Sequence, residues 1–146
     1  MSYAVGNIGE SDPRRKEYRF MMDIARRVAD ESYDPKTKVG AVIAKDRNIL
    51  SYGYNGTVSG SSNVMRDAEG GVLNTVIHAE MNALAKLAMS TQSGKGATLY
   101  CTLFPCIHCS LSLIQAGIDT VIFERDYKGN EAEQLLRSSN VKLFKL

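Results

Sequence analysis

The last third of the chain alternates strand and helix signals. "ATLYCTLF" (97–104) and "DTVIFER" (119–125) flank "PCIHCSLSLIQAG" (105–117), and "NEAEQLLRSS" (130–139) leads to "VKLFKL" (141–146). Strands separated by a helix pair in parallel, and a parallel sheet needs helices on both faces. Pro105 at the start and Gly117 at the end bound the first of these helices. Upstream, "KVGAVIAK" and "NILSYGYN" read as two strands joined by the turn-prone "DRN". Two further helices complete the order. One begins at Ser11, Asp12 and Pro13, with Phe20, Met21, Ile24, Ala25 and Val28 on one apolar face. The other runs from about His78 to Met89. The expected order is α-β-β-α-β-α-β-α-β, without internal repeat or linker. It makes one three-layer α/β/α domain over residues 1–146, with a five-stranded mixed sheet.

Composition narrows the function. The 146 residues are 44% hydrophobic, enough for one compact domain with a core. A net charge of +2 makes no case for a polyanion-binding protein. No stretch approaches the roughly 20 apolar residues of a membrane span, and "MSYAVGNIGE" lacks the pattern of a signal peptide. Cys101, Cys106 and Cys109 fall within nine residues, a poor disulfide framework but a reasonable metal or catalytic cluster. These features read as a soluble cytoplasmic protein. Residues 56–75, "GTVSGSSNVMRDAEGGVLNT", form a long glycine- and serine-rich loop, and loops of this length are often functional.

Cys106 and Cys109 lie three apart at a helix start, where both thiolates can face one spot and the helix N-terminus favours negative charge. Taken alone, the pair reads as a zinc site, with a redox dithiol or two buried cysteines together as the alternative. In isolation "VIHAEMNALAKL" (76–87) reads first as a helix-start histidine, His78, and a solvent-facing carboxylate, Glu80. Together the two stretches narrow the reading. His78, Cys106 and Cys109 supply three ligands, which leaves a fourth position open, the arrangement of catalytic rather than structural zinc. Cys101, within a strand, and His108, turned to another side of the helix, are not expected to close the shell. Zinc lowers the pKa of a water that it binds to about 7. Glu80, two positions after His78, can then carry protons between water, a ring nitrogen and departing ammonia. The combination H-x-E with P-C-x-x-C, here His78-Ala79-Glu80 and Pro105-Cys106-Ile107-His108-Cys109, is the signature of zinc nucleobase deaminases.

Nearly the whole chain resembles the deoxycytidylate (dCMP) deaminase family, within the cytidine deaminase-like fold. The resemblance is carried by "HAEMNAL", "CTLFPCIHC", "SYDPKTKVGAVI" and "GYNGTVSG". It implies hydrolysis of dCMP to dUMP and ammonia, which supplies dUMP for thymidylate synthesis. It also implies zinc on His78, Cys106 and Cys109, with Glu80 as the proton shuttle. Some relatives hold a second, structural zinc, but this chain has only Cys101 and His108 to spare, so one ion per subunit is expected. Substrate contacts are implied for Asn55, at the sugar or base, for the Ala79 backbone, at the base edge, and for Phe104 and Tyr127 as pocket walls. Ordinary packing is the alternative for Phe104 and Tyr127, and a turn role for Asn55. Family members are often homohexamers that dCTP activates, with Mg2+ at the regulatory site, and that dTTP inhibits. Gly53, Tyr54, Asn55 and Gly56 match part of the region associated with that control. The phosphate needs donors, and the loop amides, Arg26, Lys36 and Lys38 are candidates.

The chain departs from the family in "TVSGSSNV", where relatives often carry proline and cysteine. The alternative within the fold is a tRNA adenosine deaminase, but those enzymes usually read Pro-Glu-Pro-Cys where this chain has Leu103-Phe104-Pro105-Cys106. Deaminases of modified or free cytosine nucleosides and nucleotides are a further alternative. From other classes, a zinc-stabilised binding module has no need for Glu80, and a redox dithiol has no need for His78-x-Glu80.

Overall fold

The computed structural model describes residues 6–9, 11–127 and 131–146. Residues 1–5 and Glu10, from the stretch that lacks a signal-peptide pattern, and Asn130, the first residue of "NEAEQLLRSS", lie outside the described residues.

Among the described residues, six strands form one sheet in the order β1-β6-β5-β4-β2-β3. The five expected strands are β2 (Gly40–Lys45), β3 (Asn48–Tyr54), β4 (Thr98–Leu103), β5 (Thr120–Arg125) and β6 (Lys142–Lys145). The sequence reading had no sixth strand. The additional one, β1 (Gly6–Asn7), is two residues long and pairs in parallel with β6 at the edge. Strands β4, β5 and β6 are parallel, as the intervening helices α3 (Ile107–Gln115) and α4 (Glu131–Ser138) require. Strand β2 runs antiparallel to both β3 and β4, which makes the sheet mixed. Asp46 and Arg47 both adopt positive φ, 51° and 67°, in the two-residue hairpin loop between Lys45 and Asn48. Such a loop matches the twist of the strands that it joins.

Strand parity sorts the core into two halves. Ala41, Ile43, Leu99, Cys101, Val121 and Phe123 face one side, where they meet Ala79, Ala83 and Leu87 of α2 (Ala79–Ala88), Leu113 of α3 and Leu136 of α4. Val42, Ala44, Tyr100 and Ile122 face the other side, against Met21, Met22 and Ala25 of α1 (Arg15–Ala29). The result is the expected α/β/α sandwich.

Helix α1 departs from the sequence reading in two details. It starts at Arg15, and the carboxylate of Asp12 accepts from the Arg14 backbone N–H at 2.9 Å. Met22 rather than Phe20 completes its buried face, and Phe20 is exposed. A 100° step per residue puts position 22 beside 18, 21, 25 and 29 and turns position 20 outward. Helix α3 ends in a Schellman turn: Gly117, at φ +88°, donates to Ile114 O, and Ile118 N donates to Leu113 O.

Two glycines set how closely helices approach the sheet. A Cβ on Gly40 would lie 1.9 Å from Ala25 O, and one on Gly53 would lie 2.5 Å from Ala83 N. Helix α2 therefore rests backbone against backbone on β3. Hydrogen bonds from Ser51 Oγ to Ala83 O and from Asn82 Nδ2 to Tyr54 O, both 2.8 Å, lock its register. No helix is long and apolar enough to cross a membrane among the described residues.

Candidate active site

Helices α2 and α3 both begin beside the carboxyl end of β4, the end of a parallel strand where ligands gather in open α/β sheets. His78 is the N-cap of α2 and Cys106 the N-cap of α3, each with extended backbone. The two helix N-termini thus converge with their positive ends on one place. His78 Nδ1 lies 3.5 Å from Cys106 Sγ and 3.4 Å from Cys109 Sγ. The three donor atoms all fall within 4.8 Å of one another. Cys106 Sγ also accepts from Cys109 N at 3.5 Å.

The electrostatics suit a metal-binding thiolate. Hydrogen bonding by the Cys109 thiol, together with His78 and the Cys109 amide, pulls the Cys106 thiol down to about 3 against the cost of burial. The Cys106 hydrogen bond raises His78 in turn. Two soft sulfurs and one imidazole nitrogen fit zinc, and Cys101 and His108 lie outside that group. The site therefore offers three protein ligands.

Glu80 follows in the first turn of α2 and is buried at 4% exposure. The thiol of Cys101 donates to its Oε1 at 2.9 Å. Burial pushes the Glu80 carboxyl above its ordinary value, and hydrogen bonds from Cys101 and Cys109 and the charge of His78 oppose that shift only in part. A buried carboxyl with its proton affinity raised in this way is the type of group that can carry a proton in catalysis.

His78, Glu80 and Cys106 line a cleft of about 220 Å³. Asn55, Ala79, Phe104 and Tyr127 line it too, so the four residues matched to base, sugar and pocket-wall contacts face one space. Phe104 packs edge-on against Phe123 with centroids 4.7 Å apart, whereas Tyr127 is 48% exposed at the rim. Asn55 already has work within the fold. Its Oδ1 accepts from Val39 N at 2.9 Å, and its Nδ2 donates to Thr37 O at 2.8 Å and to Asp34 Oδ2 at 3.5 Å.

The phosphate candidates are placed elsewhere. Arg26 is paired with Glu124 and Asp23 on α1, Lys36 Nζ reaches Gly70 O at 3.4 Å, and neither these two nor Lys38 is among the residues lining the cleft. Arg66, which sequence reasoning missed, does line it, together with Asp34 and Thr37. Its only local signal was a lone arginine in a loop otherwise poor in cations. Of the residues matched to the regulatory region, Gly53 lies against α2, and Gly56 pairs with Ile77 through backbone bonds of 3.0 and 2.7 Å. Tyr54 and Gly56 border a separate cavity of about 100 Å³ with Tyr33 and Val58.

Comparison with known proteins agrees with this geometry. Residues 15–125 match the family model described as the cytidine and deoxycytidylate deaminase zinc-binding region. The chain is 35% identical over 130 residues to ComE operon protein 2 of Bacillus subtilis, a match covering 84% of this chain and 67% of that protein. It is 40% identical over 116 residues to human deoxycytidylate deaminase, covering 73% of this chain and 64% of the human protein. Among solved structures, the dCMP deaminase of cyanophage S-TIM5 in complex with dCMP and dUMP superposes with a TM-score of 0.85 at 36% identity. That match covers 92% of this chain and 98% of the phage chain. With the His78–Cys106–Cys109 group and the fold in agreement, the chain belongs to the deoxycytidylate deaminase family of zinc-binding deaminases and is an enzyme of that family.

Proposed function

We propose that this enzyme hydrolyses dCMP to dUMP and ammonia. The observation that carries the reading is a buried carboxyl, Glu80, set beside a His–Cys–Cys donor group in a cleft whose other walls combine apolar and aromatic side chains with the polar groups of Asp34, Thr37, Asn55 and Arg66.

Zinc, when held by His78, Cys106 and Cys109, acidifies water at this end of the cleft to near-neutral pKa. Glu80 takes a proton from the water whose oxygen adds to C4 of the cytosine ring, and it delivers that proton to N3. As the C4–N bond breaks, Glu80 passes the second water proton to the leaving amine, so one water is consumed and one ammonia released. Phe104 and the Ala79 backbone hold the ring. Asn55 lies along the sugar, and a substrate contact from it would share Nδ2 with Thr37 O or Asp34. Cys101 keeps one oxygen of Glu80 turned inward, which leaves the other for the reacting atoms.

The same reading takes in dUMP supply for thymidylate synthesis and a homohexamer controlled by dCTP with Mg2+ and by dTTP. The cavity beside Tyr33, Tyr54 and Gly56 is its candidate effector site, with Gly53 and Asn55 adjoining in sequence.

The test is ammonia release, or the absorbance change of cytosine to uracil, with dCMP, deoxycytidine, CMP and 5-methyl-dCMP, each with and without dCTP. Preference for dCMP with activation by dCTP supports reaction and regulation together. Activity on dCMP unmoved by dCTP retains the reaction and removes the regulation. No turnover of any of the four by zinc-loaded protein would overturn the proposal.

A further inference from the structure

We propose that Arg66 recognises the 5′-phosphate of the substrate, held in place by Asp34 and flanked by the hydroxyls of Thr37 and Tyr127. This inference rests on the dCMP reading above and assigns the part of the cleft that distinguishes a nucleotide from a nucleoside.

Arg66 comes from the middle of the long loop and is the one lysine or arginine lining the cleft among the described residues. Its side chain is 17% exposed. Nε donates to Asp34 Oδ1 at 3.0 Å, Nη2 to Asp34 Oδ2 at 2.9 Å, and Nη1 to Gly70 O at 3.0 Å. A guanidinium carries five N–H donors. Two therefore remain unengaged after these three bonds, on a group whose orientation is fixed from two sides. A planar fork of this kind suits phosphate oxygens, and fixing it before binding removes the entropy cost of ordering a long side chain.

Asp34 does not cancel this cation. Its carboxylate also accepts from Lys36 N at 2.8 Å, from Thr37 N at 3.3 Å and from Asn55 Nδ2 at 3.5 Å, so its negative charge is spread over several donors. Two hydroxyls complete the donor set. Thr37 and Tyr127 line the same cleft, and neither hydroxyl has a hydrogen-bond partner among the described residues. Other cations near the sheet are spent elsewhere: Arg26 on Glu124, and Arg125 on Thr102 O and Lys38 O.

The alternative role for the pair is a clamp that fastens the long loop to the segment after α1, without touching substrate. Steady-state kinetics of the zinc-loaded enzyme with dCMP and with deoxycytidine separate the two roles in Arg66→Gln, Arg66→Lys and Asp34→Asn. Both Arg66→Gln and Asp34→Asn disrupt the ion pair, but only the first removes the cation. For Arg66→Gln we expect KM for dCMP to rise at least about tenfold, with kcat changing far less. The ratio of kcat/KM for dCMP to that for deoxycytidine should fall by a similar factor, on the scale of losing a charged hydrogen bond. Arg66→Lys should recover part of that ratio, and Asp34→Asn, which keeps the cation but loosens its orientation, should lower the ratio clearly less than Arg66→Gln does.

An equal fall for both substrates in Arg66→Gln and Asp34→Asn would overturn the proposal in favour of the clamp. So would an unchanged ratio in Arg66→Gln. If Arg66→Gln does not fold, inorganic phosphate as a competitor of deoxycytidine turnover supplies the second measurement. Weaker inhibition of Arg66→Lys than of wild type is expected, and equal inhibition would overturn the assignment. Wild-type enzyme that deaminates deoxycytidine but not dCMP contradicts the dCMP reading itself. Turnover of dCMP with a ratio indifferent to Arg66 contradicts this inference alone.

Discussion

Nδ1 of His78 lies 3.4 Å from Sγ of Cys109, although 31 positions of sequence separate them. The contact closes because helices α2 and α3 both start beside the carboxyl end of β4. Ligand removal should therefore act on metal and fold together. Cys106→Ala is expected to reduce zinc from about one equivalent per subunit to a small fraction of that and to abolish turnover. It should also lower the melting temperature, because metal binding is coupled to folding. Elemental analysis with thermal denaturation checks this, and full zinc occupancy in the variant would contradict the assigned ligand.

Glu80→Gln keeps the shape of the buried side chain and removes its ability to carry a proton. Turnover should fall by roughly 10²–10⁴-fold, the usual contribution of a positioned acid–base group. Zinc content and melting temperature should stay close to wild type. A variant with retained zinc and retained rate would remove Glu80 from the mechanism.

Gly53 and Gly56 belong to one short motif but should respond differently to alanine. A Cβ at Gly53 would meet Ala83 N at 2.5 Å and Ala79 O at 2.6 Å, both backbone atoms of α2. The helix must then move off the strand, at a cost of about 1–3 kcal/mol for overpacking. The shift displaces His78 and Glu80, so Gly53→Ala should lose both stability and activity. A Cβ at Gly56 would touch only the ring of Tyr54, at 3.6 Å, and its backbone O at 4.0 Å. Gly56→Ala should therefore unfold near the wild-type temperature. Equal melting temperatures for the two variants would refute the packing role of Gly53.

The Asp34–Arg66 pair predicts a pH dependence. Burial raises the Asp34 carboxyl, but the Arg66 guanidinium and the amides of Lys36 and Thr37 outweigh it and hold the group below its ordinary value of 3.8. A carboxyl lowered in the folded state stabilises the protein above its unfolded pKa, and that contribution disappears as the pH falls through the folded value. Asp34→Asn should thus be less stable than wild type at pH 7, and the gap should narrow as the pH drops below about 4. Urea titrations of both proteins across that range measure it. A gap independent of pH would mean that the pair does not contribute through ionisation.

Several elements were legible because their signals are local. Alternating strands and helices after residue 97 dictated parallel pairing, and the spacings His78-x-Glu80 and Cys106-x-x-Cys109 placed four reactive groups at two helix starts. Strand parity also put Cys101 on the face toward α2, but its bond to Glu80 depends on how closely that helix approaches, which Gly53 decides. Phe20 and Met22 were exchanged in the sequence reading because a helical face is wide enough to leave its edge ambiguous until a partner surface is present.

What the sequence by itself determined was the order of the four helices and of strands β2 to β6, the bounds of α3 between Pro105 and Gly117, and the candidate donor and proton-carrying groups. Each follows from the chemistry of residues within a few positions of one another. Tertiary structure alone decided the distances between His78 and the cysteines, the burial of Glu80 and the presence of Arg66 in the cleft. The loop from 56 to 75 has no periodicity to reveal where Arg66 points. Its position is set by Asp34, 32 residues earlier, and a contact between segments so far apart leaves no local pattern in the chain.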